Sequence, residues 1–524
     1  MNGPGLAMMH APAPAGARGR HRVLLINPTI TSRRNARFPL AILSLYTALE
    51  ERFEVVLLDG NVDREFAATA VRLITETAVE AVGMTVMGGP QLRAALAASR
   101  TIRERAPSVP IIWGGAFPTN CPDAALRSPD VDFVVRGQGE ETLPEVLEAV
   151  LDREPDEQHD ALPSIAGLSW RREQTIVHNP GRSFSAASLA TRLPVERLSD
   201  PAQYLPTTYL GRRTAGYQAA LGCRFRCTFC GVAGMFQGKT ALMPAARLER
   251  DLEFLTRGLG VDGIQFYDHN FFDREVDMVP LLEILAKFEL PWWCFARSDA
   301  LANLSARSWE LVRKSRLRMA YIGAESPSDW LLHDVRKGTR TDQTFAAIEA
   351  CRAHGVTAEL SFMLAPPQDP EGETEKTLDF IRLIKRRYPE TEVMIYIYTP
   401  VPPPPGSRNA AAVRAFAELR DFRGRPVVFP ETADEWTAPA WHAYWCHAGA
   451  PWLSERLRRR IHDFTTVLGC RFPTIMDVRA SALGKTTLRA LASWRYRFRR
   501  YENPWELDLW KRAIGLRDPR VLSI

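Results

Sequence analysis

The sequence predicts an α/β protein in three parts: a Rossmann-like, doubly wound parallel sheet, a partial barrel of six β/α units, and a helical C-terminal cap. Three observations carry that reading. Short apolar runs alternate with helical stretches between Arg22 and Val135. Six further strand-like runs recur, with helices between them, from Thr214 to about residue 425. Beyond that point the alternation stops, and tryptophan and arginine become dense.

Arg22-Val23-Leu24-Leu25-Ile26 is a continuous apolar run that ends in Asn27-Pro28, the pattern of a buried parallel strand entering a loop. Pro39 to Leu49 predicts the helix that follows. Val55 to Leu58 ends in Asp59-Gly60, Ala81 to Thr85 is a third strand, and Ile111 to Gly115 a fourth. A fifth, Phe133 to Val135, runs into Arg136-Gly137-Gln138-Gly139-Glu140. Ligands of such sheets sit at the carboxyl ends of the strands, which is where these glycines fall. The expected division is residues 1–20 as a disordered lead-in, 21–150 as the first domain, 151–210 as a connector, 211–425 as the barrel and 426–524 as the helical domain. The lead-in is rich in Ala, Pro and Gly and lacks the apolar core of a signal peptide. In the connector, Ile165 to Trp170 and Thr175 to His178 alternate as a hairpin does, and His178 reads as an ordinary hairpin histidine.

The barrel strands are expected at 215–221, 263–267, 293–296, 319–323, 358–364 and 393–398. Chemistry in β/α barrels sits at the carboxyl ends of the strands. Directly after the first of them comes Leu221-Gly222-Cys223-Arg224-Phe225-Arg226-Cys227-Thr228-Phe229-Cys230-Gly231, three of the chain's eight cysteines in eight positions. Thiolates are soft ligands suited to iron–sulfur clusters, and one loop can wrap three corners of a cubane, leaving the fourth iron open for chemistry. Structural zinc wants four ligands, usually as two close pairs; the next cysteine is Cys294, and no histidine stands at knuckle spacing. Polar groups recur at the other strand ends: Tyr267-Asp268-His269-Asn270, then Arg297, then Glu325-Ser326.

The C-x3-C-x2-C spacing, with Phe229 before the last cysteine and Gly231 after it, resembles the signature of the radical S-adenosylmethionine (radical SAM) enzymes. The first domain, with Gly114-Gly115, Thr85-Val86-Met87-Gly88-Gly89 and a near Gly-Glu-Gly-Glu at 137–140, resembles the cobalamin-binding domain that precedes many of them. The resemblance implies a [4Fe-4S] cluster on Cys223, Cys227 and Cys230. It implies S-adenosylmethionine held at the strand ends by Tyr267, Asp268, Arg297, Glu325 and Ser326, and a cobalamin groove involving Thr85, Gly114, Gly115, Gly137 and Glu140. Three departures stand out. No histidine lies between His21 and His159 to serve as a lower cobalt ligand, Gln138 replaces a glutamate, and Ala365 replaces the glycine of a Gly-x-Pro turn. The activity implied is cobalamin-dependent methylation of an unactivated carbon of a small-molecule or natural-product substrate, with a flavodoxin- or ferredoxin-type electron donor. A radical cyclase or ring-rearranging enzyme of the same superfamily is the alternative.

Composition bounds the rest. At 46% hydrophobic, 524 residues can bury several cores. Eight cysteines in a chain this long, three of them clustered, do not make a disulfide framework, and no apolar run approaches the roughly 20 residues of a membrane span, so a cytoplasmic protein is expected. A net charge of +6 over this length does not by itself point to nucleic acid. Trp436, Trp441, Trp445 and Trp452 surround Cys446 and His447; these last two are adjacent in sequence and do not face each other on a helix, so they form no nucleophile pair. The cap's aromatic and basic residues also leave open a reading from another class, a non-catalytic metal-containing protein that binds nucleic acid or a membrane surface.

Overall fold

The computed structural model describes residues 20–476 and 481–513. The expected lead-in, apart from Arg20, lies outside the described residues.

The first sheet has seven strands: β1 (Arg22–Asn27), β2 (Glu54–Asp59), β3 (Ala81–Thr85), β4 (Ile111–Gly114), β5 (Phe133–Val135), β6 (Leu168–Arg172) and β7 (Thr175–His178), in the order β2-β1-β3-β4-β5-β6-β7. The first five are parallel. Helices cover both faces, so strand residues such as Val23 to Ile26 are buried on either side, and the sequence reads as unbroken apolar runs. The order reverses between β1 and β3, which places the ligand crevice at the ends of those strands. The hairpin read as connector adds two antiparallel strands to the edge of this sheet. It therefore covers an otherwise open strand edge.

The second sheet contains β8 (Thr214–Tyr217), β11 (Gly263–Phe266), β12 (Trp292–Arg297), β13 (Leu317–Glu325), β14 (Thr357–Leu364) and β15 (Glu392–Ile397), all parallel and paired in that order. β8 and β15 do not pair, so the barrel stays open. Between β8 and β11 lies a small antiparallel pair, β9 (Ala220–Gly222) and β10 (Thr240–Leu242), which flanks the cysteine loop. One apolar core runs from the first domain into the barrel, joining Leu25, Ile42 and Leu143 to Ala215, Phe266 and Leu360.

The C-terminal part divides in two. Its first half packs on the first sheet: Trp436, Tyr444 and Trp452 share a core with Leu24, Val82, Leu92 and Phe117, and Arg100 pairs with Asp434. The cap expected over the barrel mouth thus also braces the other domain. Its second half, the helices Glu455–Arg471, Ala482–Arg497 and Trp505–Ala513, packs beside the barrel helix Pro370–Arg387, with Arg460 on Glu375. Among the described residues no helix is long and apolar enough to cross a membrane.

Candidate functional site

The cysteine loop leaves the barrel at the carboxyl end of β9 and is clamped from three sides. Arg297, at the end of β12, lays its guanidinium 3.5 Å from the centre of the Phe225 ring and is held by both oxygens of Asp299 and by the Lys337 carbonyl. Arg224 donates to the buried Asp273 carboxylate at 2.9 Å. Thr228 N–H donates to the Val335 carbonyl at 3.0 Å. Each clamp grips a residue between or beside the cysteines, so the thiols are positioned by the barrel ends rather than by one another.

Cys227 is buried, and Cys223 and Cys230 are partly so; none forms a disulfide. Burial pushes the Cys230 thiol up to about 12 and also raises that of Cys223, so these two are neutral until a metal displaces their protons. Among the described residues no three His, Cys, Asp or Glu side chains converge on one ion-sized point. The three thiols act on one another's protonation, so the loop brings them together; three thiolate ligands with no fourth suit an iron–sulfur cluster that keeps one iron open.

Behind the loop the strand ends bring most of the expected polar residues together. Asp268 is fully buried; one oxygen accepts from the Ala219 and Ala220 N–H groups, and the other has no hydrogen-bond partner. Burial, opposed by those two N–H groups, raises its carboxyl to about 7. His269 is pushed by burial down to about 4 and is neutral. Tyr267 spends its hydroxyl on Gln265. Glu325 ends β13 at a bulge with φ 62°, a left-handed conformation that costs a non-glycine residue on the order of 1 kcal/mol. Its two oxygens accept from Lys337 Nζ at 2.7 Å and Tyr396 Oη at 2.6 Å. Burial opposes the charge on Lys337, but the Glu325 carboxylate and the nearby Cys227 sulfur together raise its proton affinity above the ordinary value. Ser326 is buried beside this pair and accepts from Ser328 N–H. Lys337, Asp273 and Phe225 were not legible as site residues; no periodicity marks a lysine that will be buried.

In the first domain, Thr85 sits opposite Gly114 in the β3–β4 ladder, and Gly115 closes on the Thr85 hydroxyl and the Val86 backbone. Gly137 N–H donates to Thr119 Oγ1, and Glu140 accepts from Ser44. Gln138 donates to the Ser185 carbonyl and accepts from the Ser185 N–H. A glutamate cannot do both, which gives a local reason for the departure at this position.

The two regions meet directly. The Val232–Phe236 helix that follows Cys230 packs on Ala116–Asn120, the helix that begins after Gly115, and Gly234 is the contact. A Cβ there would lie 2.7 Å from Asn120 Oδ1 and 2.9 Å from Pro404 Cδ. That leaves the cysteine loop and the Gly114-Gly115 strand end sharing one wall.

Residues 27–147 match the B12 binding domain family, and residues 217–381 match the Radical SAM superfamily. The anaerobic magnesium-protoporphyrin IX monomethyl ester cyclase of Synechocystis is 25% identical over 57% of this chain and 58% of its own length. The hopanoid C-3 methylase of Methylococcus capsulatus is 24% identical over 56% of this chain and 52% of its own length. The chain thus spans just over half the length of these two relatives. The solved radical S-adenosylmethionine methyltransferase TsrM from Kitasatospora setae, with cobalamin and [4Fe-4S] cluster bound, superposes with a TM-score of 0.63 at 17% identity, covering 94% of this chain and 100% of that one. That likeness is one of fold.

Proposed function

We propose that this chain, which belongs to the radical SAM proteins that carry a B12-binding domain, methylates an unactivated carbon of a small-molecule substrate. When bound, a [4Fe-4S] cluster with S-adenosylmethionine supplies a hydrogen-abstracting radical, and cobalamin supplies a methyl carrier. Cys223, Cys227 and Cys230 would hold the cluster. The unpartnered oxygen of Asp268, with Tyr267, Arg297, Glu325 and Ser326, would orient S-adenosylmethionine; Thr85, Gly114, Gly115, Gly137 and Glu140 would line the cobalamin groove.

One observation supports this reading above the rest: the wall shared at Gly234. It would bring the candidate cluster site and the candidate cobalamin groove side by side, as a reaction that draws on both requires. The apolar core that runs across the domain joint fixes the two domains against each other. An acidic flavodoxin- or ferredoxin-type electron donor is supported by a cleft of about 750 Å3 beside the cysteine loop, lined by Arg136, Arg182, Arg226, Lys239 and Arg408 and by no Asp or Glu.

The test starts from full-length protein purified and reconstituted without oxygen, with iron, sulfide and corrin quantified after hydroxocobalamin is added. About four irons per chain, lost in C223A/C227A/C230A, with retained corrin, are expected; a colourless zinc protein would sink the reading. Two of the relatives are cyclases, which favours ring formation as the second reading. S-adenosylhomocysteine separates the two, since methyl transfer releases it and ring formation need not.

A further inference from the structure

We propose that the exposed face of the helices Ala482–Arg497 and Trp505–Ala513 docks on an anionic lipid surface, holding the protein at the membrane without crossing it. The proposal does not depend on the catalytic reading. Among the described residues fifteen large hydrophobic side chains are exposed, and eight of them fall between Ile475 and Trp510. They are not scattered. At about 100° of rotation per residue, Leu483, Leu491, Trp494 and Phe498 fall within an arc of about 80° on one side of the first helix. Leu483 is 79% exposed and Phe498 65%. The other side of the same helix carries Leu488 and Ala492, both fully buried. The helix therefore has two apolar faces, and the protein uses one. On the next helix Trp505 and Leu509, 64% and 62% exposed, extend the pattern.

The charge is concentrated in the same place. Residues 455–513 contain fourteen Lys and Arg against six Asp and Glu, a net +8, whereas the whole chain is +6. The remainder is slightly acidic. Arg489, Arg497, Arg500 and Arg512 are exposed and make no ion pair among the described residues. Arg497 lies over the Phe498 ring and Arg495 over the Trp494 ring, so cations and aromatics are interleaved.

This chemistry selects the occupant. A second copy would bring +8 against +8. A nucleic acid would leave the aliphatic Leu483, Leu491 and Leu509 without planar partners, because bases stack on aromatic rings. A bilayer interface accepts all three groups at neighbouring depths: leucine and phenylalanine at the acyl boundary, indole among the headgroups, and guanidinium at the phosphates. Among the described residues no helix is long and apolar enough to span, and these two helices offer their apolar side to the plane of the surface.

The experiment is sedimentation of the full-length protein with vesicles of phosphatidylcholine alone or mixed equally with phosphatidylglycerol, read also by tryptophan emission. Binding to the anionic vesicles, with a blue shift and loss at high salt, is expected. W494S/F498S should lower the partition coefficient by about tenfold, and R497Q and R500Q by about fivefold each on anionic vesicles only. Both sets alter exposed side chains, and unchanged melting curves confirm the fold. Failure of the wild type to sediment with anionic vesicles would overturn the proposal. So would a wild-type dimer that W494S/F498S converts to monomer, which would assign the face to a second copy, or binding to single-stranded RNA with no response to vesicles. Vesicle binding gained only when residues 514–524 are deleted would assign the face to the chain's own end, and would also overturn it.

Discussion

Gly88, in the loop that leaves β3, has no room for a methyl group. A Cβ there would lie 2.1 Å from Trp445 Cδ2, 2.2 Å from Cε3 and 2.6 Å from Cγ. Attractive carbon contacts begin at about 3.5 Å, so in Gly88→Ala the indole must retreat by roughly 1.4 Å. Phe117 and Trp436 stand behind it, with ring centres at 5.7 Å and 5.6 Å, and both are buried. The ring cannot retreat without moving them, so the strain spreads along the seam between the first sheet and the C-terminal segment. Overpacking of this kind costs about 1–3 kcal/mol. Trp445→Leu removes the obstruction, and G88A placed in that background should cost only the backbone term, giving a coupling of about 1–3 kcal/mol in a double-mutant cycle. Urea unfolding of the four proteins, followed by near-ultraviolet circular dichroism, measures it. An equal cost for G88A in both backgrounds would refute the argument that this glycine exists to seat the indole.

Lys337→Met leaves the Glu325 carboxylate buried without its cation and should cost about 3–5 kcal/mol in urea unfolding, whereas K337M/E325L should recover most of that loss. Asp268→Asn should change how the cofactor-free chain responds to pH. The folded protein keeps this carboxyl protonated up to about 7 against an ordinary 3.8. The unfolded chain releases the proton first, so wild-type stability falls as pH rises between those values, by up to roughly 4 kcal/mol. Asparagine removes that slope: D268N minus wild type should climb from pH 4 to 7 and then stay level, and a flat difference would contradict the assignment. Ala365, at φ 54°, adopts a left-handed conformation that favours glycine. Ala365→Gly should therefore stabilise the protein by about 1 kcal/mol, read as a rise in urea midpoint.

The strands and the cysteine loop were legible because each leaves a local mark. A strand buried on both faces must be apolar at every position, as Val23 to Ile26 are, and three thiols in eight residues have few structural explanations. What escaped depends on partners distant in sequence. Lys337 owes its burial to Glu325 across a bulged strand end and to the Arg297 side chain that holds its carbonyl. The tryptophans after residue 430 announced a core without saying whose core: Trp436, Trp441, Trp445 and Trp452 pack with the first sheet, and Trp494, Trp505 and Trp510 are exposed.

The same distinction explains the glycines. In the sequence, Gly88 reads only as part of a cofactor-domain pattern and Gly234 carries no signal at all. In the folded chain Gly88 lies beneath Trp445, and Gly234 lies against Asn120 and Pro404, so both mark places where separate parts of the chain approach to within an atom's width. A protein that keeps two candidate cofactor sites in two domains must fix the distance between them more tightly than a flexible joint allows. Gly234 makes such a contact at the joint itself, and Gly88 makes one where the C-terminal segment, hydrogen-bonded to the barrel through Tyr444 and Trp452, seats on the first sheet.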